Sequence, residues 1–372
     1  MRKEKVLFVL GGMDRAGAEA FVMTAVRHLD RKKITPMILT FLAPKNGQRF
    51  EHQDELDKLG VKMLRVKDTR FSKPWQFVRD IKKIVQKEKI TVVHSNIDFM
   101  SGLVLLAAKL GGAKKRVAHA HSTNGAKVES LTGKIAAKIL RTLIFNNATV
   151  LVACGKDAGE FLFQKHPFVV IKNGIELEQF AFRASKRKSM RKKYQLADGL
   201  IVLLNAARME PVKNQHYLLE LMAAAKQKKI KAKLFLLGDG SLKDTLKKEI
   251  TLKDLAKEVV LLPTQANIAD FYMMSDVFVM PSLAEGLSVS CVEAQATGLK
   301  TLLSDHIAEE TKLLDDTLFL PITDTGKAQW LKEIQKIHSE KVRAKAIQEK
   351  RVRVFDGAKM ARSLEELYVR DY

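Results

Sequence analysis

Two cysteines in 372 residues, Cys154 and Cys291, are too few and too far apart for a disulfide framework or a thiolate metal cluster, and they fit a reduced, cytoplasmic setting. Cys291 reads as a small buried apolar residue rather than a nucleophile. No apolar run approaches the roughly 20 residues that cross a bilayer. The N-terminal MRKEKVLFVL begins like a secretory signal, but Gly11, Gly12 and Asp14 follow it where a small-residue cleavage site would stand, so it reads as a core strand. Also missing are a Gly-x-Ser-x-Gly elbow, a Walker Gly-Lys-Ser/Thr and a Gly-x-Gly-x-x-Gly fingerprint with its acidic partner, which argues against a hydrolase, a kinase or a dehydrogenase. There is no Asp-x-Asp pair to chelate a divalent ion on a diphosphate, no repeat at solenoid periods and no low-complexity tract.

Acids are in short supply too: 42 Asp and Glu face 65 Lys and Arg, a formal net charge of +23. Such an excess seeks an anion, and nucleic acid, an anionic membrane surface and a phosphorylated substrate all qualify. Arg183, Lys186, Arg187, Lys188, Arg191, Lys192 and Lys193 occur without an intervening acid, as a solvated helical linker or a membrane-contacting segment. Nucleic acid is the weaker partner, because the basic residues are spread over many helices without interleaved aromatics and no reader motif is present.

What is there is a globular chain, 46% hydrophobic and long enough for two cores. Short apolar runs alternate with amphipathic stretches, and they do so twice, the pattern of two doubly wound α/β units. Strands are expected at Val6–Leu10, Met37–Phe41, Val61–Val66, Thr91–His94, Arg116–Ala120, Val150–Ala153 and Phe168–Ile171 in the first unit. The second takes Ile201–Asn205, Leu234–Leu237, Val259–Leu262, Val277–Met280 and Thr301–Leu303. The division expected is 1–175, a basic linker over 176–198, a second domain over 199–354 and a C-terminal helix within 355–372.

The chemistry concentrates in MPSLAEGLSVSCVEAQATGLKTLLSD, residues 280–305. Glu285 and Glu293 stand eight positions apart, with Gly286 after the first, Ser288 as a helix N-cap and Gly298 as a helix stop. A strand, loop and helix in that order turn free backbone N–H groups towards a phosphate, and ionised carboxylates accept paired hydroxyl hydrogen bonds. Arg208 and Lys213 follow the first strand of the second unit, where ligands bind in open α/β sheets, and two cations there can hold a departing diphosphate while Pro211 fixes the loop.

This run resembles the donor-site signature of the retaining glycosyltransferases of family 4, in particular bacterial enzymes of exopolysaccharide and capsule assembly. The resemblance covers nearly the whole chain and is more specific in its second half. It implies a GT-B fold, two Rossmann-like doubly wound parallel-sheet domains facing across a cleft, with no cofactor, no metal and a nucleotide-sugar, UDP-linked, as donor. It implies that Glu285, Gly286, Leu287 and Ser288 hold the transferred sugar and its phosphate, and that Glu293 takes the ribose. The family's arginine and lysine, with four residues between them, match Arg208 and Lys213, although Ala206 and Ala207 stand where a glycine pair is usual. Gly238 and Asp239 read as an ordinary strand-to-helix turn that the resemblance places beside the nucleotide; Pro263 and Thr264 are expected to approach the base.

In the first unit, Gly17 opens a helix and remains for close backbone approach to the donor where Ala16 replaces the family's other glycine. His119 and His121 share one face of a strand; zinc would need a third ligand, and His94 follows another strand. The resemblance makes His121 the histidine near the transferred sugar, a neutral imidazole bonding a hydroxyl, with His119 supporting the strand.

The reading is a metal-independent retaining hexosyltransferase acting on a saccharide or lipid-linked acceptor in cell-surface polysaccharide synthesis, cytoplasmic or peripheral on the inner face of the plasma membrane. The alternatives are a basic nucleic-acid-binding protein with a degenerate Rossmann pair and a GT-B-like UDP-sugar epimerase.

Overall fold

The computed structural model describes residues 3–14, 17–44, 47, 49–122, 130–337, 343 and 345–369. The chain divides into a first unit, Met1–Ile175 with Asp356–Tyr372, and a second, Glu176–Phe355.

The first unit runs β1 (Glu4–Val9), α1 (Gly17–His28), β2 (Ile34–Thr40), α2 (Gln53–Lys58), β3 (Lys62–Arg65), α3 (Pro74–Glu88), β4 (Val92–Ser95), α4 (Ser101–Gly111), β5 (Lys115–Ala120), α5 (Leu131–Asn147), β6 (Val150–Ala153), α6 (Lys156–Phe163) and β7 (Val169–Val170). All its strands are parallel, in the order β3-β2-β1-β4-β5-β6-β7. Both faces are covered, which is why the strands read as near-continuous apolar runs. Phe8 and Val6 pack with Phe21 and Val22 of α1 on one face; Leu7 and Val9 pack with Phe77 and Ile81 of α3 and with α4 on the other.

The second unit runs α7 (Leu177–Phe180), α8 (Ala184–Lys193), β8 (Ile201–Ala206), α9 (Gln215–Gln227), β9 (Ala232–Leu237), α10 (Lys243–Leu252), β10 (Val259–Leu262), α11 (Ile268–Met274), β11 (Val277–Met280), α12 (Val289–Ala296), β12 (Lys300–Ser304), β13 (Thr317–Leu320), α13 (Gly326–Gln335) and α14 (Lys350–Arg353). Its six parallel strands are ordered β10-β9-β8-β11-β12-β13. The chain then returns as α15 (Gly357–Val369), which packs on α1 in the first unit. Gly357 N–H donates to Ile175 C=O at 3.0 Å there, and an added Cβ on Gly174 would lie 2.7 Å from Gly357 Cα, so the two backbones touch.

Two segments differ from the sequence expectation. The strand β13 was not expected; TLFL is four residues long, lies at the sheet edge and is buried at only two of its four positions. Residues 176–198, expected as a solvated basic linker, hold α7 and α8 packed within the second unit. Arg187 donates to Asp276 Oδ1 at 2.5 Å and to the carbonyls of Met274 and Ser275, Arg191 donates to Asp276 Oδ2 at 3.2 Å, and Lys186 pairs with Asp270. Arg187 thereby caps the C-terminal end of α11, where helix carbonyls lack partners. Arg187 and Arg191 therefore face inwards, on Asp276, while Arg183, Lys186, Lys188, Lys192 and Lys193 stay exposed.

Candidate functional site

In both sheets the strand order reverses beside the first strand, between β1 and β4 and between β8 and β11. Crevices outside the carboxyl ends of strands at such a reversal are where open α/β sheets take ligands. Arg208 and Lys213 follow β8, and Glu285 follows β11, so the topology alone brings them to one reversal point.

Side chains then lock the two loops together. Asn205, buried at the end of β8, donates to Val279 C=O at 2.8 Å; Leu283 N–H donates to Val212 C=O at 2.8 Å; Asn214 donates to Pro281 C=O at 3.2 Å. Pro211 begins a single 3₁₀ turn that ends at Lys213, and Asn214, at φ 52°, turns the chain into α9. The result is an ion pair between Lys213 Nζ and Glu285 Oε2, both partly buried. Glu285 also bridges to Ile307 through its backbone, its carbonyl accepting from Ala308 N–H at 3.1 Å. Arg208 is exposed, and among the described residues its side chain has no partner; Gln215, anchoring α9, donates to its carbonyl at 2.9 Å. One fixed and one free cation thus stand at the same loop.

Gly286 and Leu287 lead into α12, whose N-cap is Ser288 with extended backbone, φ −81° and ψ 124°. Ser288 does not cap with its side chain; its hydroxyl meets Ser290 Oγ at 3.0 Å, which leaves the first amides of the helix to another acceptor. Gly298 ends the element at φ 70°, the left-handed conformation expected of a helix stop. One turn and a half into α12, Glu293 accepts the Tyr272 hydroxyl at 2.9 Å. Burial pushes the Glu293 carboxyl up to about 7, and the Tyr272 hydroxyl offsets part of that. Cys291 is fully buried, its Sγ 3.5 Å from Met280 Sδ. Its thiol pKa is raised by burial first, then by Glu285, with Glu293 adding to it and Lys213 opposing. The thiol therefore lies within the fields of both carboxylates and the lysine, as an inert spacer between them.

Gly238, at φ 150°, follows β9, and an added Cβ would lie 2.1 Å from Ala207 C=O, so the loop after β9 lies directly on the loop that carries Arg208. Asp239 is structural as well as exposed: Oδ2 accepts from Thr264 N–H at 3.0 Å and Thr264 Oγ1 at 3.3 Å, and Oδ1 from Lys243 at 2.6 Å. Lys243 and the Thr264 amide hold its carboxyl below the usual range. Pro263 and Thr264 are exposed on the loop after β10, two strands from β8.

Gly17 and His121 belong to the first unit. Gly17 opens α1, and an added Cβ would meet nothing within 4 Å, so no packing contact requires glycine there; Ala16 lies outside the described residues. His121 follows β5, its N–H donating to Asp98 Oδ1 at 2.9 Å. Asn96 donates to His94 C=O at 3.2 Å, which aims its Oδ1 at His121 Nε2, 3.0 Å away. An amide oxygen only accepts, so Nε2 carries the proton and Nδ1, which has no partner among the described residues, is the bare acceptor. Burial lowers the His121 pKa to about 4, opposed by Asp98, so the ring is neutral. His119 stacks on it with centroids 4.0 Å apart and bonds His94 Nε2 at 3.0 Å, while His94 Nδ1 meets Tyr368 Oη of α15 at 2.6 Å. His94 and His119 bond each other and His121 stacks on His119, and among the described residues no group of three His, Cys, Asp or Glu is placed to hold a metal ion.

Tyr272, Asn96 and Asp98 are additions that sequence motifs did not mark. Asn96 and Asp98 had a signal: both follow β4 at the strand reversal of the first sheet.

Comparison with known proteins places these features in a family. A model of glycosyl transferases group 1 matches residues 186–351, and a model of glycosyltransferase family 4 matches residues 15–179. The chain is 35% identical to EpsF of Bacillus subtilis (strain 168), named as a glycosyltransferase, over 83% of this chain and 81% of that one. It is 26% identical, over 98% of both chains, to the capsular polysaccharide biosynthesis glycosyltransferase CapH of Staphylococcus aureus. The crystal structure of Anabaena HepE in complex with UDP and glucose superposes with a TM-score of 0.78 at 17% identity, covering 98% of this chain and 99% of that one.

Proposed function

The chain belongs to the GT-B glycosyltransferases, resembling bacterial exopolysaccharide and capsule enzymes, and on that premise we propose that it moves a hexosyl unit, with retention, from a UDP-sugar to a saccharide or lipid-linked acceptor in cell-surface polysaccharide synthesis. The observation that carries the reading is the Lys213–Glu285 pair beside the free Arg208, at the strand reversal of the second sheet and ahead of α12. UDP in the HepE structure supports the donor class.

In this mechanism the acceptor oxygen bonds to the anomeric carbon on the face from which the diphosphate departs, the bond from that carbon to the phosphate oxygen breaks, and the acceptor's proton passes to the departing phosphate. Positive charge develops on the sugar ring and negative charge on the leaving group. Arg208, Lys213 and the first amides of α12 answer the negative charge without a metal; a fixed donor of this kind is worth about 10²-fold in rate. Glu285, already oriented by Lys213, accepts sugar hydroxyls, and Glu293 accepts those of the ribose. In the first unit, neutral His121 presents Nδ1 to a sugar hydroxyl.

Thermal shift across UDP-, GDP- and ADP-sugars tests the donor, because a ligand that binds only the native form raises its melting temperature. UDP-sugars are expected to stabilise the protein most. An equal response to all three, or none, would refute the UDP assignment.

A further inference from the structure

A buried chain of polar groups runs from the C-terminal helix α15 to His121. Side chains alternate along a strand, so His94 on β4 and His119 on β5 face the same side as Val92 and Val117, into the layer that holds α1 and α15. His94, His119 and Tyr368 are all buried there. Phe21 and Phe8 wall them with apolar rings, Phe21 crossing His119 at 87° with centroids 4.6 Å apart and Phe8 crossing Tyr368 at 70° and 6.3 Å. Polar atoms in such surroundings have to satisfy one another. The helix that supplies the phenol is tied down beside it: Lys115, which opens β5, donates through Nζ to the carbonyls of Leu367 and Tyr368 at 2.7 and 3.2 Å, in the last turn of α15 where helix carbonyls lack partners.

The protons along this chain have one favoured order. Tyr368 Oη lies 2.6 Å from His94 Nδ1 and His94 Nε2 lies 3.0 Å from His119 Nδ1, while His119 Nε2 has no partner among the described residues. Burial keeps both imidazoles neutral, and a neutral imidazole carries one proton. When the phenol donates to His94 Nδ1, His94 donates from Nε2 to His119 Nδ1, and the proton on His119 Nε2 is the one group left unpaired. The reverse order strands two groups, the Tyr368 O–H and a bare His119 Nε2, and each unpaired buried group is costly. The phenol therefore selects the tautomer of both rings, each protonated at Nε2.

We propose that Tyr368, His94 and His119 are positioning residues for sugar transfer: the phenol fixes His94, His94 fixes His119, and His119, stacked on His121 with centroids 4.0 Å apart, holds that ring so that its Nδ1 meets the sugar hydroxyl. This role rests on the transferase reading, in which His121 touches the sugar. Asn96 at Nε2 restrains the His121 ring within its own plane, and the stack on His119 restrains it out of plane. Without the Tyr368 hydroxyl, either order of donation strands two groups, so neither is favoured. His94 and His119 then exchange tautomers, and the stack loses its single arrangement.

Tyr368→Phe removes the hydroxyl and keeps the ring, and two measurements on the full chain read the consequence. Histidine ¹⁵N shifts of the protein without substrate should show His94 and His119 protonated at Nε2 in the wild type, and a mixture of both tautomers in the variant. At saturating donor, Tyr368→Phe should lower kcat about tenfold with UDP affinity unchanged, yet by less than about twofold when His121→Ala is already present, because the phenol acts through that ring. A loss that came only from weakened folding would be the same in both backgrounds. Protonation of either ring at Nδ1 in the wild type, unchanged His119 shifts in the variant, an unchanged kcat, or an equal loss of kcat with and without His121 would each overturn the proposal. Absence of sugar transfer by the wild type would sink the transferase reading, while the ¹⁵N shifts would still decide the order of the rings.

Discussion

The Tyr272 hydroxyl donates to Glu293 Oε2 at 2.9 Å and also reaches Ser290 C=O at 3.2 Å, so a buried phenol on α11 holds the acid that α12 presents. Burial raises that acid to about 7. As a ribose acceptor it works ionised, so UDP affinity should fall about tenfold for each pH unit below 7. Tyr272→Phe removes the contact that lowers the pKa and should move the midpoint upwards; Glu293→Gln should weaken binding and abolish the pH dependence. Calorimetric titration with UDP across this range checks it, and a flat profile in the wild type would remove Glu293 from the ribose.

His121 gives a second, separable pH effect. Burial keeps the ring neutral against the pull of Asp98, which bonds its backbone N–H; Asn96 Oδ1 at Nε2 sets the tautomer, His119 stacks beside the ring and Cys154 meets its carbonyl. Asn96→Asp puts a carboxylate on Nε2 and stabilises the imidazolium, raising a pKa that now lies near 4. At saturating donor, kcat of the variant should fall on acidification from near neutrality, where the wild type stays level. The ¹⁵N shifts of His121 report the protonation directly, even in an inactive variant, and an unaltered profile with unaltered shifts would refute the tautomer assignment.

The two units should respond to acid with opposite sign. Burial lowers His94 to about 3, His121 to about 4 and His119 well below its ordinary value. Their neutral forms stabilise the first unit above the unfolded pKa near 6.5, and that stability is lost as pH falls, by about 2 kcal/mol at pH 5 for His94 and about as much for His121. Glu293 has a raised pKa, so the second unit binds the extra proton when folded and gains stability over the same descent. Amide hydrogen exchange should show β4 and β5 losing protection between neutral pH and 5 while α12 gains it; parallel changes would contradict the assignment.

Much of this was legible in the residues. Buried parallel strands announce themselves as short apolar runs, and Val150–Ala153, Val259–Leu262 and Val277–Met280 were expected with the bounds they have. The edge strand β13 was not, because four half-buried residues carry little pattern. α8 misled for a physical reason: seven cations read as solvated, but the acids that engage three of them, Asp270 and Asp276, lie more than 80 residues away. The same distance hides Tyr272 behind Glu293 and Tyr368 behind His94, partners that only the fold brings in. Lys213 and Glu285 could be named from their loops, whereas their pairing needed β8 and β11 to be neighbours.

Gly238 tests the loop that carries Arg208. With φ at 150° and Ala207 C=O 2.1 Å from an added Cβ, Gly238→Ala must displace that backbone. It should cost about 1–3 kcal/mol of stability and lower turnover beyond what the stability loss explains. Denaturant titration beside single-turnover rates checks both; wild-type values in each would show that the contact positions nothing.

Release of UDP from a UDP-sugar in the presence of acceptor and excess EDTA, compared between the wild type, Arg208→Ala and Lys213→Ala, tests the charge-stabilised mechanism most directly. Expected are undiminished wild-type turnover in EDTA and a fall of about 10²-fold or more in each variant, with folding retained. Wild-type-like turnover in either variant, or loss of wild-type turnover on chelation, would contradict it.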